Sequence, residues 1–171
     1  MMGSLKLKSK LQPKLKSSRL VLITALALVF IIGFGGGYLF GNASSSPMME
    51  QALVVQVIDG DTVELADGRY VRYLGIDTPE LGEAYSSEAS DRNRELVEGK
   101  TVELQRGKRD QDEFGRLLRY VYVDGVFVNA ELVAQGYARA YIFDPDERYS
   151  QILVQLEQYA KMREQGLWSN E

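Results

Sequence analysis

The chain has 171 residues, no histidine and no cysteine, and its 24 acidic residues outnumber its 20 lysines and arginines. Those absences exclude a Ser-His-Asp triad, a Cys-His dyad and a zinc site of the usual nitrogen and sulfur type. Any chemistry must run on carboxylates, arginines, hydroxyls and a hard metal ion.

Charge is divided sharply along the chain. Residues 1–19 carry six basic residues and no acid, and residues 20–40, Leu20 to Phe40, carry no charge at all and are rich in Leu, Ile, Val, Ala and Phe. At about 1.5 Å per residue this second stretch would span roughly 30 Å as a helix, the thickness of a bilayer core. A secretory signal has a shorter apolar region, about 7 to 15 residues. Residues 20–40 are therefore expected to be a retained transmembrane signal anchor, and residues 1–19 a basic cytoplasmic tail. Cleavage at Gly41-Asn42-Ala43, giving a secreted protein, is the alternative. The lysines ahead of the span place the N-terminus in the cytoplasm and the remainder outside, so a single-pass protein of the cell membrane is expected.

Residues 41–49 contain Ala43-Ser44-Ser45-Ser46-Pro47 and suggest a flexible linker. Residues 50–171 suit one domain. That domain has 14 Lys and Arg against 24 acids, a formal charge of −10. Long-range attraction of a phosphate polymer would be weak, and phosphate binding would need a local pocket of arginines.

Within the domain, Leu53 to Ile58 has strand composition, and Thr62 to Leu65 continues it after Asp59-Gly60. Asp67-Gly68 is a hairpin turn into a third strand, Arg69 to Ile76, and an antiparallel meander results. Pro79 makes Asp77 to Tyr85 a loop. Ser86 or Ser87 is expected to cap a helix that runs to about Glu98 and stops at Gly99. Thr101 to Arg106 and Leu117 to Val123 supply two more strands, and Asp124-Gly125 turns the chain into Val126 to Val128. Asn129 is expected to cap a short helix ending at Gly136, and Tyr137 to Phe143 to be extended. A last helix, Ser150 to Gln165, should bury Ile152, Leu153, Leu156, Tyr159, Ala160 and Met162. The order predicts a mainly β fold with α, a five-stranded barrel capped by three helices.

The chemistry-bearing residues gather in 22 positions: Asp59-Gly60-Asp61-Thr62, Arg72, and Asp77-Thr78-Pro79-Glu80. In a meander, Asp61 and Asp77 can meet at one end of the barrel, and two adjacent carboxylates need a cation or a shared proton. Oxygen ligands favour Ca²⁺ or Mg²⁺, and a loose, partly backbone-built site on an external protein favours Ca²⁺. Taken singly, each motif is a turn or a loop. An EF-hand is excluded, because Glu64 stands where its glycine belongs and Tyr70 where its bidentate glutamate belongs. Arg72 lies five positions before Asp77, so the two side chains should point to opposite faces unless the strand bends at Gly75.

In order and spacing, the motifs resemble the staphylococcal nuclease (thermonuclease) family. They are Val-Ile-Asp-Gly-Asp-Thr-Val at 57–63, Arg72, Gly-Ile-Asp-Thr-Pro-Glu at 75–80, Glu-Ala-Ser at 88–90, Phe-Gly-Arg at 114–116, Val-Asn-Ala-Glu-Leu-Val at 128–133, Gln-Gly at 135–136, Ala-Tyr at 140–141 and Leu-Trp-Ser at 167–169. The resemblance implies an OB-like barrel in an endonuclease that hydrolyses phosphodiesters of DNA and RNA with Ca²⁺. It implies that Asp61, Asp77 and the Thr78 carbonyl hold the calcium, with Asp59 behind them. Glu80 would be the general base, Arg72 and Arg116 the phosphate clamps, and Tyr141 a nucleotide contact. A monomeric domain with no protein partner is expected. The loop Leu81 to Tyr85 is short and carries Glu83 where the family is often lysine-rich. Glu113, Phe114 and Phe143 replace a lysine and two tyrosines common in the family, changes that concern binding and leave the catalytic set intact. The rival expectation is a catalytically inactive module that binds nucleic acid or protein on the same barrel.

Overall fold

The computed structural model describes residues 49–142 and 148–169. The expected tail, membrane span and linker as far as residue 48 lie outside the described residues, as does Phe143. Among the described residues no helix is long and apolar enough to cross a membrane.

Strand β1 (Glu50–Val57) pairs antiparallel with β2 (Thr62–Leu65), and β2 with β3 (Tyr70–Tyr73). On its other side β1 pairs with β5 (Thr101–Gln111), which pairs with β6 (Leu117–Val123). A parallel pairing of β3 with β6 joins the ends of this row and closes a five-stranded barrel. Closure removes the exposed strand edges that an open sheet would present. The pattern that produces it is alternation: Val54, Val63, Leu65, Val71, Tyr73, Val102, Leu104, Leu117 and Val121 are buried at inward positions. Burying each contributes roughly 1.5–3 kcal/mol.

Two short strands, β4 (Ile76–Asp77) and β8 (Arg139–Ala140), form a separate ribbon, and β7 (Val126–Phe127) turns back to pair antiparallel with β6. The single strand expected at Arg69 to Ile76 is thus two strands, broken at Leu74-Gly75, where Gly75 takes φ +77°. The strand expected to end at Arg106 runs on to Gln111.

Helices α1 (Ser86–Val97), α2 (Val128–Ala134) and α3 (Ser150–Met162) complete the expected three. The third begins at Ser150 as expected and ends three residues early, whereas the caps of the first two differ from expectation. Tyr85, at φ 67°, is the N-cap of α1, and no side chain caps that helix. Asn129 lies inside α2 because its amide is drawn inward to bond the barrel backbone. On α3, Leu153 and Ala160 are buried at an i, i+7 spacing, whereas Ile152 and Met162 fall off that stripe and are exposed.

Candidate active site

The Asp-Gly-Asp-Thr turn between β1 and β2 is closed by its own side chains. The Asp59 carboxylate accepts the Asp61 N–H at 3.0 Å, and the Thr62 carbonyl accepts the Ile58 N–H at 2.9 Å. Gly60 is needed here for space, since a Cβ would stand 2.6 Å from Thr78 Oγ1. The turn therefore lies directly against the Asp-Thr-Pro-Glu segment, 17 residues on.

Asp61 is buried, and one of its oxygens, Oδ2, accepts two hydrogen bonds from Thr78 and is ion-paired with Arg72. The Thr78 N–H lies at 2.8 Å, the Thr78 hydroxyl at 3.0 Å and Arg72 Nη1 at 3.0 Å. Burial pushes the Asp61 carboxyl up to about 7, assisted by the neighbouring Asp59 and opposed by Arg72 and Thr78. A buried carboxylate whose charge remains this costly fits a site that takes a cation.

Arg72 is the centre of the cluster. Nη1 donates to the carbonyls of Tyr73 at 2.9 Å and Ile76 at 3.0 Å, while Nη2 donates to Asp77 Oδ1 at 2.8 Å. One guanidinium thus joins both carboxylates and is oriented by backbone acceptors. The break at Gly75 is what allows Arg72 and Asp77 to meet. Asp77 itself is half-exposed.

Glu80 is exposed and follows buried Pro79. Its N–H donates to Glu83 Oε2 at 2.9 Å, and its carbonyl accepts the Glu83 N–H at 2.9 Å, which fixes its backbone two residues beyond Thr78. Arg116 lies just ahead of β6, whose Leu118 is the partner of Arg72 in the parallel ladder. Counting by twos from Leu118 puts Arg116 on the same face as Arg72. Arg116 is tied to Asp112 by its Nε at 2.7 Å and its N–H at 2.9 Å, and its guanidinium lies 5.4 Å from the Phe114 ring centre. Burial raises the Asp112 carboxyl, but these bonds outweigh it and hold the group below the usual carboxylate range. Tyr141 is exposed, and its N–H donates to the Gly75 carbonyl at 2.9 Å, so the turn that bends the strand also seats this tyrosine.

Asp61, Asp77, Thr78 and Arg72 are brought into direct contact, with Asp59 supporting the turn. Glu80 follows two residues after Thr78, the Tyr141 backbone is bonded to Gly75, and Arg116 stands two positions before the ladder partner of Arg72. The match to known proteins takes in most of these segments, though not the Asp59–Thr62 turn: the family model described as staphylococcal nuclease homologue matches residues 70–170. The chain belongs to the staphylococcal nuclease family. Its OB-like barrel is that family's fold in form, and Arg72, Asp77, Thr78, Glu80, Arg116 and Tyr141 fall within the matched residues. The chain is 41% identical over 125 residues to the SPbeta prophage-derived endonuclease YokF and to endonuclease YncB, both of Bacillus subtilis (strain 168). Each match takes 67% of this chain but only 42% and 59% of the two Bacillus proteins. With the thermonuclease of Staphylococcus hyicus it is 30% identical over 167 residues, 92% of this chain and 99% of that protein.

Two residues that support the site are not marked for that part by the sequence. Asn93 of α1 is fully buried, accepts the Tyr73 hydroxyl at 3.0 Å and donates to the Asp59 carbonyl at 3.2 Å. Asn129 of α2 accepts the Val121 N–H at 3.0 Å and donates to the Leu74 carbonyl at 2.8 Å, holding the bend before Gly75. An asparagine on a helix face ordinarily signals solvent, and nothing in the spacing marks these two as buried.

Proposed function

We propose that the chain is a calcium-dependent endonuclease that hydrolyses phosphodiester bonds of DNA and RNA. The observation that carries this reading is the Arg72 guanidinium bonded to Asp77 at 2.8 Å and paired with buried Asp61 at 3.0 Å. A cation pocket and a phosphate clamp are thereby built as one unit.

Asp61, Asp77 and the carbonyl of Thr78 would hold the calcium, and their all-oxygen chemistry fits a hard divalent ion. When bound, the ion supplies positive charge that offsets the negative charge gathering on phosphorus oxygens. Arg72 contributes to the same end from a fixed position. Its backbone and carboxylate acceptors use three of its five N–H bonds, and the remaining edge can grip a phosphate. Arg116, on the same face, closes on the phosphate from the second side, with Asp112 keeping its fork aimed. Glu80 takes the proton of the attacking water as that oxygen bonds phosphorus. The bond to the leaving 5′ oxygen then breaks with its electron pair, solvent supplies a proton, and a 3′-phosphate end remains. Tyr141, seated on Gly75, offers its exposed ring to the nucleotide.

The uncharged stretch at 20–40 and the six cations before it support a tethered enzyme whose domain acts outside the membrane. Protease added to intact cells should then remove the domain.

The test of the reaction is cleavage of single-stranded DNA and of RNA by the full-length chain in Ca²⁺ and in chelator, with the product ends identified. Calcium-dependent cleavage leaving 3′-phosphates supports the reading. Binding of both polymers with no cleavage under any divalent ion would replace it with an inactive binding module.

A further inference from the structure

The domain is acidic as a whole, yet one ribbon of it is basic. From Arg106 to Arg119, along β5 and β6, stand Arg106, Lys108, Arg109, Arg116 and Arg119 against three acids, Asp110, Asp112 and Glu113. Two of those acids are already engaged. Asp112 holds Arg116, and Asp110 is shared between Arg119 Nη2 at 2.8 Å and Arg106 Nε at 3.1 Å.

The ribbon is also irregular where the cations are densest. Arg106 pairs with Arg119 and Gln111 with Leu117, so residues 107–110 of β5 face only Leu118 of β6. This wide bulge breaks the alternation of the strand and leaves Lys108 and Arg109 exposed in succession. It is built on a buried arginine: Arg119, with a side chain 6% exposed, donates through Nη1 to the Asp110 carbonyl at 3.1 Å and through Nη2 to its carboxylate. At the far end Arg148 donates to the Arg106 carbonyl at 3.3 Å. Three residues of β6 separate Arg116 from the level of Arg106, roughly 10 Å along the strand. That separation suits neighbouring phosphates of one chain.

We propose that this basic bulge, Arg106 to Asp110, is a second phosphate site that binds the single strand flanking the scissile bond and leads it to Arg116. The proposal rests on the nuclease reading and names where its substrate lies beyond the reacting phosphate. A flexible single strand can follow a bent ribbon at the rim of a small barrel, and OB-like barrels bind such strands over several nucleotides.

The test compares two substrates in the full-length chain, a dinucleotide with one phosphodiester and a single-stranded DNA of about 20 nucleotides, longer than the span one barrel covers. Lys108→Ala/Arg109→Ala should raise KM for the long strand about tenfold, with kcat unchanged, and leave dinucleotide cleavage within about twofold. The dependence of log kcat/KM on log salt should flatten by about 1.4, near 0.7 for each lost contact to a single strand. An unchanged KM for the long strand would overturn the proposal, and so would an equal loss on both substrates. If the native chain cleaves neither substrate, the nuclease reading fails separately. Binding of the labelled long strand then reports on the bulge alone, and equal binding by the native chain and the double variant would overturn it.

Discussion

Arg72 and Asp77 lie five positions apart in sequence, on two different strands, and meet at 2.8 Å only because Gly75 turns the chain between them. On an unbroken strand they would face opposite ways. The same guanidinium reaches Asp61 in the turn before β2, so three separate pieces of backbone depend on one side chain.

Arg72→Lys keeps the charge but loses the fork. Cleavage is expected to fall by at least about a hundredfold, because an ammonium cannot hold Tyr73, Ile76 and Asp77 and still present two donors to phosphate. Arg72→Ala should in addition lower unfolding stability by about 3 kcal/mol, since Asp61 is left buried beside Asp59 without its cation. Steady-state cleavage and urea unfolding read the two effects separately.

Gly75→Ala combines a positive φ with a collision, its Cβ standing 2.6 Å from Leu153 Cδ1 of α3. The cost should reach about 2–3 kcal/mol, and cleavage should drop as well because Arg72, Asp77 and Tyr141 all take their positions from this turn. Gly68→Ala, where the added Cβ meets nothing, carries only the conformational penalty and should leave cleavage unchanged. A thermal melt and a cleavage rate on each variant check the pair.

Asp61 makes stability depend on pH when calcium is chelated. Its carboxyl is raised in the folded state from 3.8 to about 7, so the folded protein holds this proton more tightly than the unfolded chain does. The resulting stabilisation is full below the unfolded value and is lost as pH rises through about 7. The chelated protein should therefore melt at progressively lower temperature between those limits, and Asp61→Asn should flatten that part of the profile. A melting temperature that rises over the same interval would contradict this assignment.

Asn93→Ala strands the Tyr73 hydroxyl, which is fully buried and held neutral by burial, and frees the Asp59 carbonyl. A loss of about 2 kcal/mol is expected in denaturant unfolding. Asn93→Asp keeps an acceptor for Tyr73 but sets a carboxyl oxygen against the Asp59 carbonyl in a fully buried site, and should destabilise at least as much.

Much of this was legible in the chain. Alternating Val and Leu announced the barrel strands, Asp67-Gly68 the hairpin, and Asp61, Asp77, Thr78 and Arg72 carry residue types whose chemistry limits their use. Contacts that depend on a change of face were not legible. The parity of Arg72 and Asp77 turns on one glycine, and the bulge at 107–110 leaves a run of polar residues that periodicity cannot distinguish from a loop. Buried amides were hidden for a related reason, because Asn93 and Asn129 gain their meaning from backbone groups 34 and 55 residues away. Caps misled in the other direction: Ser86 and Asn129 have capping chemistry, yet each lies within its helix.

The central claim is that Glu80 takes the proton of the attacking water while the Arg72 cluster binds the phosphate. It is tested most directly by Glu80→Gln, with single-turnover cleavage of single-stranded DNA in Ca²⁺ measured beside equilibrium binding of the same strand. Cleavage slowed by about a hundredfold or more, with binding within about twofold of the native chain, is the expected result. Undiminished cleavage would contradict the assignment of Glu80, and parallel loss of binding and cleavage would show that Glu80 holds substrate and does not accept the proton.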